Sequence, residues 1–152
     1  MNTQESRILR EAIVTEARSW ILTPYHHMAE LKGVGVDCGK LVLCILSNAG
    51  VVDHADFGSY SKDWMLAREN PFLLDLFRAH FVIVDAPEPG DVMLFRVGRT
   101  YCHLALVTIA SPLTLLHATP EYRFVVEELA ASSSRINRHM SDALIGRARA
   151  LA

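Results

Sequence analysis

Residues 33–46 read Gly33-Val34-Gly35-Val36-Asp37-Cys38-Gly39-Lys40-Leu41-Val42-Leu43-Cys44-Ile45-Leu46, a glycine-rich loop followed by the start of an apolar helix. Asp37 suits the N-cap position, because its carboxylate can accept the unpaired N–H groups of a first helical turn. Cys38 then lies where the positive end of the helix dipole favours a thiolate over a thiol. The position alone leaves two interpretations open: a small residue buried in the core, or a nucleophile.

The 152-residue chain has the composition of one globular domain with a core of its own. Hydrophobic residues make up 51% of it and charged residues 21%, which excludes a disordered chain. A formal net charge of −2 without blocks of like charge indicates neither a nucleic-acid partner nor a basic membrane-binding surface. The three cysteines show no repeated spacing, so we expect free thiols and no disulfide framework.

The N-terminal residues 1–19 are polar and charged and lack the apolar segment of a secretion signal. The longest apolar run, residues 41–46, is too short to cross a bilayer. We therefore expect synthesis in the cytoplasm without a signal peptide, and no stable membrane insertion. Any action outside the cytoplasm then requires another route of delivery.

The order of hydrophobic periodicities predicts helices first and strands afterwards. The predicted helices cover about residues 5–20, 38–48, 61–68 and 71–79. The predicted strands cover about residues 81–84, 92–96, 101–109, 113–118, 123–128 and 143–149. Because the strands follow one another through short turns, we expect an antiparallel meander and a domain of the α+β class.

Two histidines lie at the ends of neighbouring predicted strands. His103 opens one of them and His117 closes the next, so both imidazoles are expected side by side on one face of the sheet. A cysteine nucleophile needs a base within hydrogen-bond reach and a third polar group that fixes the tautomer of that base. Cys38, His103 and His117 supply one residue for each of these roles.

Five segments resemble, in their order, the NlpC family of cell-wall cysteine peptidases. They are Trp20-Ile21-Leu22-Thr23-Pro24-Tyr25, Val36-Asp37-Cys38-Gly39, Pro89-Gly90-Asp91-Val92-Met93-Leu94-Phe95, His103-Leu104-Ala105-Leu106-Val107 and Leu116-His117-Ala118. The resemblance covers most of the chain. It implies one papain-like domain over residues 1–152, with the nucleophile helix packed on a small antiparallel sheet and a helical insertion at about residues 53–86.

The resemblance also implies roles for individual residues. Cys38 matches the nucleophile, His103 the general base and later acid, and His117 the group that orients His103. Tyr25 matches a family tyrosine that helps to bind substrate or stabilise the oxyanion, and the Cys38 backbone N–H is a natural oxyanion donor. Asp37 adjoins the same subsite, but we expect it to act mainly as a helix cap. Neither a cofactor nor a metal is implied.

The implied reaction is hydrolysis of an amide bond in peptidoglycan stem peptides, between D-glutamate and the diamino acid, through a thioester. The insertion and the lack of a signal peptide resemble members encoded in phage tails and prophage-like clusters. This implies action at the cell wall after delivery by a tail-like particle, with phage-tail proteins as partners. The sequence departs from the family pattern at three places. Gly39-Lys40 replaces the usual Ser-Gly and places a long cation beside the site, and Ala105 replaces a glycine of the histidine strand. Tyr25-His26-His27 lacks the usual Gly-Gly loop, a difference that concerns the substrate subsites.

Three alternatives stay open at this stage. The same triad can serve an amidase or another acyl-transfer reaction, and a structural phage-tail subunit can keep the fold with weak or no catalysis. A metal site is the third alternative, built from His26, His27, Cys38, His103 and His117, although the spacing matches no zinc finger or H-E-x-x-H helix. Cys44 and Cys102 are expected to be core residues, since the first lies on a buried helix and the second alternates to the strand face away from His103.

Overall fold

The structure is a computed structural model that describes residues 1–57 and 72–152. Its α-helices are α1 (Thr3–Arg18), α2 (Cys38–Asn48), α3 (Phe72–His80) and α4 (Ser134–Arg138). Its strands are β1 (Glu30–Leu31), β2 (Gly35–Val36), β3 (Phe81–Val84), β4 (Val92–Val97), β5 (Thr100–Ile109), β6 (Thr114–Ala118), β7 (Val125–Leu129) and β8 (Leu144–Ala148). The helix predicted at residues 61–68 lies outside the described residues. None of the described helices is long and apolar enough to cross a membrane.

Six strands form one antiparallel sheet in the order β3-β8-β4-β5-β6-β7. Strands β4 to β7 make the predicted meander, but β8 departs from it, because it lies between β3 and β4 and pairs with both. The short ribbon β1-β2 was not predicted, since strands of two residues carry no measurable periodicity. Helices around an antiparallel sheet confirm the α+β class.

The ends of the first two helices follow from their capping residues. Asn2 and Glu5 form a capping box at the start of α1, each side chain bonding the other residue's backbone N–H. This helix ends before Trp20, which is nevertheless buried and donates its indole N–H to Glu16 Oε1 at 3.0 Å. Helix α2 has its predicted bounds and is followed by Gly50 at φ 74°.

Apolar side chains fill both faces of the sheet. The larger cluster joins the sheet to α1, α2 and α3 and includes Ile13, Trp20, Leu41, Ile45, Phe77, Leu94, Leu104, Leu106 and Leu116. The smaller cluster lies on the other face and includes Met93, Phe95, Ala105, Val107, Leu115 and Ile136 of α4. Because strand residues alternate between faces, His103 and His117 share the smaller-cluster face with Ala105 and Leu115.

A fully buried carboxylate, Asp91, holds the start of β4 in place. It accepts hydrogen bonds from Arg147 Nε at 3.1 Å and Nη2 at 2.9 Å, and from Arg10 Nη1 at 3.1 Å. The Glu88 backbone N–H donates a further bond to it at 2.9 Å. These bonds join α1, β4 and β8, so this acidic residue has a structural role, and the buried charge is paired as its burial requires.

Gly146 makes a close approach possible between β8 and α3. A Cβ atom at this position would overlap the Phe77 ring and lie 2.9 Å from Cβ of Phe81. The rings of Phe77 and Phe81 stack with their centroids 4.8 Å apart. The missing side chain of Gly146 therefore provides the space in which this aromatic pair packs on the sheet.

Candidate active site

Asp37 connects the loop before α2 to the first turn of the helix. The residue is 1% exposed, and its Oδ1 accepts a hydrogen bond from the Lys40 backbone N–H at 2.8 Å. Its Oδ2 accepts the Met28 N–H at 2.9 Å. Met28 has φ 67°, a left-handed conformation that non-glycine residues seldom adopt without such support. The predicted cap is confirmed, and both carboxylate oxygens are used in this connection.

Cys38 is the first residue of α2, and its thiol lies against the backbone of β5. Its Sγ donates to the carbonyl of Cys102 at 3.9 Å, and the backbone N–H groups of Leu104 and Gly39 interact favourably with the sulfur. Burial nevertheless raises the pKa of the thiol to about 12, and the Asp37 carboxylate adds to the rise. The expectation of a resting thiolate is therefore wrong, because loss of hydration outweighs the helix terminus.

A chain of four polar side chains begins at His103. His103 Nε2 lies 2.8 Å from His117 Nδ1, and His117 Nε2 lies 2.7 Å from Glu128 Oε1. The hydroxyl of Tyr122 donates to the other carboxylate oxygen, Glu128 Oε2, at 3.2 Å. The prediction that the two histidines lie side by side is confirmed, and the chain continues two residues beyond them.

The strand register explains why these side chains meet. Val107 pairs with Leu115, so in the same register Ala105 lies opposite His117, and His103 is the diagonal neighbour of His117. On the other side of β6, His117 pairs with Val126, and Glu128 is again the diagonal neighbour. Diagonal neighbours are within reach of long side chains.

Both imidazoles are held in the neutral form. Burial lowers the pKa of His103 well below its usual range, and any positive charge on the adjacent His117 would oppose its protonation further. Burial also lowers the pKa of His117, although its hydrogen bond to Glu128 opposes the shift. Neutral imidazole has one nitrogen with a proton and one with a free lone pair, so both rings can pass a hydrogen bond along the chain.

A β-bulge lies at the point of β5 where the Cys38 thiol meets the strand. Phe95 pairs with His103 and Arg96 with Tyr101, which leaves Cys102 as the extra residue whose carbonyl accepts the Cys38 thiol. In the part of the chain that the structure describes, no hydrogen bond joins Sγ to the His103 ring itself. The thiol thus lies against the residue that precedes His103 in β5. Contrary to the core prediction, Cys102 is only partly buried, whereas Cys44 is buried as predicted.

Tyr25 lies near the start of α2, where its backbone pairs with Val36 and its N–H donates to the Arg123 carbonyl at 2.7 Å. The residue is partly buried. Burial raises the pKa of its phenol to about 12, and the charges of Cys38 and Asp37 contribute to the rise. The hydroxyl therefore keeps its proton at neutral pH and remains a hydrogen-bond donor near the thiol.

Three residues near the histidines were missed from the sequence: Glu128, Tyr122 and Arg135. Arg135 forms an ion pair with Glu121, and its positive charge lowers the pKa of both histidines. The sequence signal for Glu128 was its position two residues after Val126, which puts both side chains on the same face of a strand next to that of His117. That signal becomes usable only when the strand register is known.

The residues of the metal alternative do not form a group of ligands. Among residues 1–57 and 72–152, the group close enough to hold an ion is Glu30, Cys44 and His54, none of which belongs to that alternative. His54 Nε2 lies 3.1 Å from Glu30 Oε2, and the Lys40 ammonium lies 3.5 Å from the same oxygen. A cation would meet the repulsion of this ammonium group.

No family model and no curated protein matches the sequence, but several solved structures are similar. The NlpC/p60 domain of the peptidoglycan hydrolase SagA superposes with a TM-score of 0.54 at 20% identity, over 80% of this chain and 90% of that chain. An NlpC/p60 family protein from Bacillus cereus gives a TM-score of 0.61 at 18% identity, over 94% of this chain but 40% of its own length. An N-acetylmuramoyl-L-alanine amidase from Bacteroides uniformis gives 0.59 at 11% identity, over 93% of this chain and 99% of that chain. These similarities confirm that the chain has the papain-like fold seen in the NlpC/p60 proteins.

Proposed function

We propose that this chain is a cell-wall hydrolase in which Cys38 attacks an amide bond of peptidoglycan stem peptides. The observation that carries the proposal is the position of the Cys38 thiol at a capped helix start, against the strand segment that bears His103. The hydrogen-bonded partner His117 completes the set of groups that thiol chemistry requires. The named activities of the structural neighbours, a peptidoglycan hydrolase and an amidase, support the same class of substrate.

The proposed reaction has two stages. Cys38 Sγ bonds to the scissile carbonyl carbon while its proton passes to His103, and His103 then gives that proton to the leaving amine as the C–N bond breaks. In the second stage water attacks the thioester, and its proton returns through His103 to the departing sulfur. The Cys38 N–H, unpaired within helix α2, and the Tyr25 hydroxyl are the proposed donors to the oxyanion. Since the thiol rests protonated, proton transfer must accompany the attack.

The test compares two cysteine variants of the same helix on purified muropeptides. Cys38→Ala should abolish cleavage, because it removes the atom that forms the thioester. Cys44→Ala also removes a buried thiol from α2, but this variant should cleave muropeptides at a rate close to that of the wild type. Undiminished cleavage by Cys38→Ala would exclude this mechanism.

The scissile bond separates the proposal from its nearest alternative. We propose cleavage between D-glutamate and the diamino acid, which would release a fragment that begins with the diamino acid. The similarity to an amidase over 99% of that protein favours a second candidate, cleavage between the muramoyl lactyl group and L-alanine. That reaction would release the whole stem peptide, so the masses of the products distinguish the two activities.

Delivery to the cell wall by a tail-like particle, with tail proteins as partners, remains a prediction from the sequence resemblance. Mass spectrometry of purified tail-like particles tests it, since the chain should be present in them. A structural tail subunit without catalysis would also be present there. It would form no thioester with muropeptides, and intact-mass measurement of the protein after brief mixing with substrate detects that adduct.

A further inference from the structure

The carboxylate of Glu128 ends the chain of hydrogen bonds that begins at His103. We propose that Glu128 is a positioning residue, which fixes the tautomers of His117 and His103 so that the lone pair of His103 lies on Nδ1. Tyr122 holds the carboxylate in place through its hydroxyl. The catalytic value of this arrangement rests on the proposed function, whereas the arrangement of protons does not.

The assignment of protons follows from the direction of the hydrogen bonds. A carboxylate only accepts, so the 2.7 Å contact with Glu128 Oε1 requires the proton of His117 on Nε2. The Nδ1 of a neutral His117 then carries a lone pair and must accept at 2.8 Å from His103 Nε2–H. The remaining nitrogen of His103, Nδ1, is left without a proton. One carboxylate thereby determines the state of two rings.

The burial of the chain gives the carboxylate its influence. The side chain of His117 is fully buried, and that of Glu128 is 21% exposed, so a hydrogen bond between them is only partly weakened by water. Within the described residues, each ring uses only these contacts as hydrogen bonds. No other acceptor competes there for the Nε2 proton of His117.

Without Glu128, the Nε2 proton of His117 loses the acceptor that stabilises this tautomer. The alternative tautomer carries the proton on Nδ1 and donates it to His103 Nε2, which moves the proton of His103 to its own Nδ1. The nitrogen with the lone pair would then point back into the histidine pair and could not accept a proton from a thiol. An orienting histidine thus needs a group that orients it in turn.

Tyr122 supports the carboxylate from the solvent side. Its hydroxyl donates to Glu128 Oε2 at 3.2 Å, and its ring meets the His117 ring edge-on, with centroids 6.0 Å apart at 81°. The neighbouring acid Glu127 takes no part, because it alternates to the other face of β7 and pairs with Arg18 at 3.0 Å. Two adjacent glutamates of one strand therefore form a matched pair for an experiment.

The experiment measures the tautomers directly by ¹⁵N–¹H NMR correlations of the imidazole rings. In the wild type both histidines should carry their protons on Nε2. Glu128→Met, which removes the acceptor at similar length, should shift the tautomer ratio of His117 by about 10- to 100-fold, the range typical of hydrogen bonds to charged groups. Glu128→Gln should restore part of the preference, since its amide oxygen still accepts, and Glu127→Met should leave both spectra unchanged.

The same variants are then assayed on muropeptides. Glu128→Met should lower kcat by about 10- to 100-fold with KM within a factor of two, because the loss concerns a proton transfer and not binding. If the wild type cleaves no muropeptide, the proposed function fails, while the NMR result still decides the tautomer proposal. The tautomer proposal would be overturned if His103 of the wild type carried its proton on Nδ1, or if the wild type and Glu128→Met had equal tautomer ratios. Should Glu128→Met fail to fold, the wild-type spectrum and a smaller shift in the same direction in Tyr122→Phe decide the matter.

Discussion

Replacement of Asp37 by alanine should make the protein less stable and its active-site thiol more acidic. The variant loses the cap of α2, the bond to the Lys40 N–H, which is worth about 1 kcal/mol. It also leaves the Met28 N–H without its acceptor, at a cost of about 1–3 kcal/mol. Together these losses predict a decrease of about 2–4 kcal/mol in the free energy of unfolding. Removal of the negative charge lowers the pKa of Cys38, since that charge contributes to raising it.

Two measurements on the same samples check this prediction. Urea denaturation gives the free energy of unfolding, and the pH dependence of iodoacetamide labelling at Cys38, located by peptide mass spectrometry, gives the thiol pKa. Asp37→Asn keeps an oxygen for the cap but removes the charge, so it should lose less stability and show the lower thiol pKa. Asn2→Ala removes a cap at the remote helix α1, and it should cost about 1 kcal/mol without changing the thiol.

The reasoning would be refuted by an Asp37→Ala protein within about 0.5 kcal/mol of the wild type, less than the loss of a cap costs. An unchanged or higher thiol pKa in both Asp37 variants would contradict the electrostatic part separately. General loosening of the fold would also lower the pKa of Cys38, because it would expose the buried thiol. Asn2→Ala therefore serves as the control: it loses stability at a remote helix, and its thiol pKa should stay that of the wild type.

Three further predictions concern the packing and the pH response. Gly146→Ala should destabilise the fold by about 1–3 kcal/mol, because the new methyl group overlaps Phe77; thermal unfolding measures it, and a stability equal to the wild type would contradict the packing. Asp91→Ala should cost about 1–3 kcal/mol in urea denaturation, since the Glu88 N–H loses its acceptor and Arg10 and Arg147 keep only the ion pair with Glu88; a stability equal to the wild type would be inconsistent with that pairing. Stability should fall as the pH drops below about 6.5, because the unfolded chain then binds a proton that buried His103 does not; the slope reaches about 1.4 kcal/mol per pH unit for this group and should decrease in His103→Gln.

The parts of the fold that depend on local pattern were predictable from the sequence. Helix α2 has the predicted bounds because a capping acid precedes its apolar residues and a glycine at φ 74° follows them. Strands β4 to β7 lie within a few residues of their predicted positions, since alternation and turn residues define them. The pairing of β8 between β3 and β4 was not predictable, because it joins segments distant in the chain that carry no local signal for one another.

The residues of the candidate site likewise differ in whether a local sequence pattern could reveal them. Cys38, His103 and His117 were found because their residue types and their places at element ends already indicate chemistry. Glu128 was missed because its role depends on register: a shift of one residue would turn it to the other face and put Glu127 in its place. The state of the thiol was mispredicted for a different reason, since the sequence shows the helix start but not the depth of burial.

The place of β8 in the sheet also has a consequence for the order of events in folding. This strand joins β3 to β4, yet it is made after all of the strands that flank it. The meander β4 to β7 can form from contacts that are local in sequence, and such contacts form fast. Strand β3 can join the sheet only after β8 has been synthesised, because β8 lies between β3 and β4. We expect an early species on the ribosome whose β3 and β4 edges are both exposed, and such edges are sites of wrong pairing between chains.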